Sequence, residues 1–313
     1  MNVLEHLLLA GLMGGLLLLT TGSVQAQGTK VSALIEKAEA AGIEQSAVTE
    51  LQNRAQSQGM SNQQLQQILE SALDLSDQNL PGQVAIDKAL EGLSKGVPAD
   101  RIIPAVLNIA EGMRQAAEIV DPWMKRPEVQ QMMGRPGRSM SQNNYRGQMI
   151  RAASKSFVQK IPPGQVKRIF NEIGNKEILS ERSAADLLTA INVLPDLPTT
   201  STQPETSASL IVRALRGGFD ADKLQQLPSA MKMGQQRSQL PAASVIKGAA
   251  QQMEQGTPAK QVLQNLFNGN IGGGPPGNLP PGLERRPDRG NNPGNNNRGG
   301  NNNRGGNNGP GGR

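Results

Sequence analysis

The heptapeptide Gly59-Met60-Ser61-Asn62-Gln63-Gln64-Leu65 ends one helix and begins the next. Glycine takes the left-handed conformation that closes a helix at C′ without a Cβ penalty, and the apolar residue after it can fold back on the last turn, as in a Schellman motif. Ser61 is placed to accept from the free N–H groups that open the following helix. Leu65, Ile68 and Leu69 then set an apolar stripe on one helical face.

The same punctuation recurs at Gly42-Ile43-Glu44, Gly96-Val97-Pro98, Gly218-Phe219-Asp220 and Gly256-Thr257-Pro258, with an apolar residue six positions after each glycine at Val48, Ile102, Leu224 and Val262. Asp220 fits a cap and Pro98 and Pro258 fit a first-turn position. Two copies without glycine, Lys160-Ile161-Pro162 and Gln239-Leu240-Pro241, keep the rule with Val166 and Val245. Gly42, Gly59, Gly96, Gly218 and Gly256 are therefore helix-turn positions. Spacings of 17 residues between Gly42 and Gly59 and 37 between Gly59 and Gly96 predict two-helix units of about 35 to 40 residues, as in α-solenoid repeats. Aromatic residues make up 2% of the chain, and Gln, Ala, Leu and Glu fill the periodic segments, which argues against strands. The expected fold is all-α: short helices in helix-turn-helix repeats, either α-solenoid-like or an irregular helical bundle, followed by a disordered C-terminal tail.

Outside the helices the chain changes character twice at its ends. Residues 1–26 read as a secretory signal peptide: Leu7 to Leu19 carries no charge and is shorter than a bilayer span, and Val24-Gln25-Ala26 is a small-x-small cleavage site. The expectation is an exported protein, periplasmic or extracellular and of bacterial type, cut after Ala26; the absence of Lys and Arg before Leu7 leaves an uncleaved anchor as the alternative. From Gly269 to Arg313, Gly, Asn and Pro make 34 of 45 residues, too little apolar surface to offset the entropy of ordering. Between these lie helical regions 27–120 and 151–268, joined at 121–150. That joining segment carries Pro122, Pro127 and Arg135-Pro136-Gly137-Arg138 and reads as a basic, Met-rich loop with one short helix at Glu128 to Met133.

There is no cysteine, and the single histidine, His6, falls in the signal segment, so the rest of the chain lacks imidazole and thiolate nucleophiles, bases and metal ligands. No Walker-type loop, dinucleotide fingerprint or metal-ligand cluster is present, and the expectation is a non-enzymatic protein with no cofactor. A carboxylate-dependent envelope hydrolase, or an accessory subunit of one, is the alternative; the pairs Asp74 with Asp77, Glu111 with Glu118 and Asp220 with Asp222 are its candidates.

The charge is uneven. Without residues 1–26 the chain has 32 basic and 25 acidic residues, a net +7; Lys125 to Arg168 alone is +9 and the tail +4, leaving −6 elsewhere. Candidate contacts to an anionic partner are Lys125, Arg126, Arg135, Arg138, Arg146, Arg151, Lys155, Lys160, Lys167 and Arg168, with Arg285, Arg286, Arg289, Arg298, Arg304 and Arg313 in the tail. The joining segment 121–150 also holds the only Trp (Trp123) and Tyr (Tyr145), with Met124, Met132, Met133, Met140 and Met149, a composition expected to form an adaptable gripping surface. The partner is expected to be another protein, or an anionic envelope polymer or membrane surface. Nucleic acid, bound through the Arg-Gly-Asn tail, is the weaker alternative, because no ring there offers a base a stacking platform.

Overall fold

A computed structural model describes residues 21–135, 140–198 and 205–271, with side chains from Thr29 in the first helix. Among these residues there are 14 α-helices and no strand. They are α1 (Thr21–Ala40), α2 (Gln45–Ser57), α3 (Asn62–Asp77), α4 (Gln83–Ser94), α5 (Ala99–Met124), α6 (Pro127–Met133), α7 (Gln142–Val158), α8 (Pro163–Ile173), α9 (Lys176–Glu181), α10 (Ala184–Val193), α11 (Glu205–Arg216), α12 (Ala221–Ser238), α13 (Ala242–Glu254) and α14 (Ala259–Asn268). The fold is all-α.

The turns work as their residue types dictate. Gly42, Gly59, Gly96, Gly218 and Gly256 all have φ between 66° and 85°. The amide after each glycine bonds back five residues, as in Met60 N to Ala55 O (2.8 Å) and Phe219 N to Ala214 O (3.0 Å). Ser61 Oγ accepts from the Gln64 amide while the Gln64 side chain accepts from Ser61 N, a reciprocal cap. Pro98 and Pro258 stand one residue earlier than expected, at the N-cap itself. The residues six after each turn, Val48, Leu65, Ile102, Val166, Leu224, Val245 and Val262, are all buried.

An eighth turn, next to Pro81-Gly82, keeps the same geometry without glycine at the left-handed position. Asn79 occupies the left-handed region (φ 56°), Leu80 N bonds to Leu75 O at 2.8 Å, and Leu80 is buried. Asparagine tolerates this conformation better than other side chains, so Asn-Leu-Pro carries the signal that Gly-x-Pro carries elsewhere.

Lys160 (φ 60°) and Gln239 (φ 57°) take the same conformation with ordinary side chains. Each holds an unfavourable backbone state worth roughly 1 to 2 kcal/mol. Gln239→Gly should therefore stabilise the chain by about 1 kcal/mol, read as a higher urea midpoint at unchanged m-value.

Packing follows the turns. Helices two apart in the chain lie side by side: α1 with α3, α2 with α4, α3 with α5, α10 with α12, α11 with α13 and α12 with α14. Bonds between equivalent positions of neighbouring units recur at separations of 35 to 40 residues. They join Glu44 N to Gln83 Oε1, Gln58 Nε2 to Leu93 O, Gln64 Nε2 to Asp100 Oδ1, Arg114 to Asp74, Lys155 Nζ to Asn192 Oδ1, and Ala221 N to Asp186 Oδ1. Such pairs join positions at similar distances from the starts of the two helices, so stacked helices run parallel.

The exception is the α5/α7 pair. Gly112 of α5 lies against Ser154 and Val158 of α7, while Asp121 bonds Arg146; as one number rises the other falls, so these helices are antiparallel. Two parallel stacks thus meet in opposite directions, the first ending in α5 and the second beginning in α7. A continuous layer runs α1, α3, α5, α7, α10, α12, α14 across this reversal. The other layer, α2 and α4 then α8, α11 and α13, is served at the junction by the short helices α6 and α9, which pack on each other.

The expected loop at 121–150 is corrected here: Asp121 to Met124 complete α5, and α7 starts at Gln142. Pro122 removes one helical N–H, but it and Glu118 face solvent, and burial of Trp123 and Met124 outweighs the loss. The expected gripping surface is corrected with it. Trp123, Tyr145, Met124, Met132 and Met149 are core, and Trp123 meets Phe170 edge-on at 5.5 Å and Tyr145 at 6.5 Å. The start of the tail also moves. Gly269 (φ 76°) caps α14, and buried Ile271 seats against Gly234 and Gly248, so the helical body continues to Ile271 rather than ending at Asn268. The signal core, Arg138 and the rest of the tail with Arg285, Arg286, Arg289, Arg298, Arg304 and Arg313 lie outside the described residues.

Candidate functional site

The reversal of stacking opens a polar groove. One wall is the α3–α4 turn, with Asn79, Leu80 and Pro81; the other is the exposed face of the first half of α7, with Asn143, Asn144, Arg146, Gly147, Gln148 and Arg151. Its volume is about 730 Å³. A second hollow of about 250 Å³ adjoins it across Asn143 and Arg146, and its far side is formed by Asp121, Met124, Lys125, Gln130 and Gln142. No aromatic side chain lines either part.

Arg146 is the fixed point of the groove. Its Nε donates to Asp121 Oδ1 at 2.6 Å and its Nη2 to Asp121 Oδ2 at 2.8 Å, the two-point geometry in which a guanidinium matches a carboxylate. Its Nη1 donates to the Asn79 carbonyl oxygen at 2.8 Å, which ties α7 to the α3–α4 turn. The Asp121 carboxylate raises the affinity of the guanidinium for its proton, partly against its own burial. Arg146 is therefore a positioned, permanently charged wall.

The nine described basic residues between Lys125 and Arg168 divide by whether the protein already uses them. Arg126 Nη2 donates to Asn171 Oδ1, Arg135 donates to the Leu179 and Ser180 carbonyls closing α9, Lys155 bonds Asn192, and Arg168 pairs with Glu172. Arg146 is committed to Asp121 and Asn79. Lys125, Arg151, Lys160 and Lys167 are exposed and have no side-chain hydrogen bond or ion pair among the described residues. Of these, Lys125 and Arg151 line the groove; Lys160 and Lys167 lie beyond it, at the α7–α8 turn and on α8. With Asp121 and Arg146 cancelling, the groove carries a net +2.

One carboxylate of each candidate pair, Asp74, Glu111 or Asp220, has a local partner. Asp74 ion-pairs with Arg114, which also holds Glu111, and the Arg114 hydrogen bond pulls the Asp74 carboxyl below its usual range. Asp220 caps α12 by accepting from Lys223 N (3.0 Å), and the Lys223 ammonium likewise lowers its pKa. A general acid for glycoside cleavage needs the opposite shift. Among the described residues no group of three or more His, Cys, Asp or Glu side chains is placed to hold a metal ion, and no helix is long and apolar enough to cross a membrane.

Of the cations the sequence singles out, Lys125, Arg146 and Arg151 line the groove, while Trp123, Tyr145, Met132 and Met149 build the core beneath. The amides Asn79, Asn143, Asn144 and Gln148 were missed because they carry no charge. No protein-family model, curated protein or solved structure matches this chain.

Proposed function

We propose that this protein is an exported, non-enzymatic helical scaffold that binds an anionic partner along the junction groove. The observation that carries this reading is the pair of uncommitted cations, Lys125 and Arg151, set in one concave polar surface around an already neutralised Arg146. Charges that make no internal contact and share a cleft concentrate their field toward a ligand. Arg residues of the tail would add a second, looser contact. Export rests on the apolar Leu7 to Leu19 segment and the Val24-Gln25-Ala26 site. The bond after Ala26 lies within α1, and the first buried residue described there is Val31, so cleavage would leave the packed part of that helix intact.

The test is co-sedimentation or affinity retention of the full chain with heparin, anionic liposomes and cell-wall sacculi at about 50 mM and about 200 mM salt. Binding to at least one of these should weaken steeply with salt. The double variant Lys125→Ala/Arg151→Ala should lower the low-salt affinity roughly tenfold, while Lys167→Ala, outside the groove, changes it little. Equal binding by the double variant would place the contact elsewhere. The sequence Gln27-Gly28-Thr29 at the N-terminus of secreted protein would establish export and cleavage.

A further inference from the structure

We infer that the junction groove holds an extended, acidic polypeptide segment of a partner protein, gripping its main chain through side-chain amides. This rests on the reading of the groove as an anionic-partner site and names the partner's chemistry.

The lining decides between anionic ligands. Asn143, Asn144 and Gln148 stand exposed on α7, opposite Asn79. Each primary amide offers a carbonyl acceptor and two N–H donors. An extended peptide presents the complementary set, one N–H and one C=O per residue, and an open groove wall can satisfy both. A polyphosphate or sulfated polymer presents acceptors alone. An amide can turn only its N–H donors to such a ligand and leaves its carbonyl unused, so a site built for one would favour lysines and arginines where these amides stand.

The absence of rings in the lining decides against two other classes. Sugars and bases are commonly held on exposed aromatic faces, and Trp123, Tyr145 and Phe170 are each about 1% exposed. A membrane surface is excluded by shape: the groove is concave, its one buried apolar lining residue from the turn, Leu80, is 5% exposed, and no apolar face projects from it.

Acidic side chains along the peptide have matched partners at both ends. Arg151 stands toward the middle of α7, and Lys125 just past the end of α5 in the adjoining hollow. Between them Arg146 spends three of its five N–H donors on Asp121 and Asn79 and keeps two for a ligand. Asn79 holds its left-handed backbone at the groove edge, and its carbonyl is fixed by Arg146, so that wall is set before any ligand arrives.

The experiment uses the full chain and fluorescence anisotropy of a labelled decapeptide of alternating Glu and Ser, beside the same peptide N-methylated at alternate backbone nitrogens. Polyphosphate binding is measured in parallel. The parent peptide should bind, and N-methylation should cost about tenfold in affinity with charge unchanged. The variant Asn143→Ala/Asn144→Ala, confirmed as helical by circular dichroism, should lose about tenfold for the peptide and nothing for polyphosphate. Equal binding of the parent and N-methylated peptides would overturn main-chain recognition. Polyphosphate binding without peptide binding would overturn the inference and leave the anionic-partner function standing. Binding of neither would overturn both.

Discussion

Trp123→Ala is expected to destabilise the helical body by about 3 to 5 kcal/mol, the largest loss from truncating any single side chain here. Trp123 lies in the last turn of α5, is 1% exposed, and meets Phe170 of α8 edge-on and Tyr145 of α7 at a tilt. It is thus a side chain of the last helix of the first stack that touches both of the first two long helices of the second. Removing it leaves a cavity that α7 and α8 can close only by moving against α5. Trp123→Phe should cost less, about 1 to 2 kcal/mol. The smaller ring leaves part of the volume empty, but it also removes a buried indole N–H that has no acceptor among the described residues. Urea unfolding followed by circular dichroism at 222 nm measures both on the same scale. If the alanine variant lost less than about 1 kcal/mol, the aromatic contact would not be what couples the stacks.

The second large effect is at a glycine that needs space rather than an unusual backbone. Gly82 has an ordinary right-handed conformation (φ −59°) at the start of α4, and a Cβ there would overlap the Ala72 carbonyl oxygen and Ser76 Oγ. Ser76 Oγ already donates to that same carbonyl, so neither atom is free to withdraw. Gly82→Ala should cost about 3 kcal/mol or more, because the obstacle is backbone of a packed helix. The opposite outcome is expected at Gly147, inside α7, where a Cβ would meet nothing within 4 Å. There alanine should stabilise by about 0.5 to 1 kcal/mol. Thermal and urea midpoints of the two variants should move in opposite directions. A small shift for Gly82→Ala would mean that α3 and α4 do not approach as closely as described.

These two sites also mark where sequence reasoning works and where it stops. The turns were legible because each has a chemical requirement that one or two residue types meet: Gly218 and Gly256 for the left-handed state, Asp220 and Ser61 for the first free N–H groups. Asn79 meets the same need by another route and was passed over. The first half of helix α7, up to Ile150, was hidden by composition, since its Asn, Gln and Arg suggested a loop, although Tyr145, Met149, Ile150, Ala153 and Phe157 repeat at helical spacing and are buried. The groove could not be read at all. It exists because α5 and α7 run antiparallel where other neighbours run parallel, and Asn79 and Arg146, 67 residues apart, meet only through that reversal. Charge density drew attention to Lys125 to Arg168. Which of those cations are free depends on partners such as Asp121 and Asn171, which no local pattern names.

The continuous layer also sets a length. Its seven helices are joined by six side-by-side steps, with α1 at one extremity and α14 at the other. At about 8 to 10 Å per step, whatever is attached ahead of α1 and whatever follows Ile271 are separated by some 50 to 60 Å measured along the layer. The junction groove lies near the midpoint of this layer, so on the proposed function a partner held there would stand at a set distance from either end.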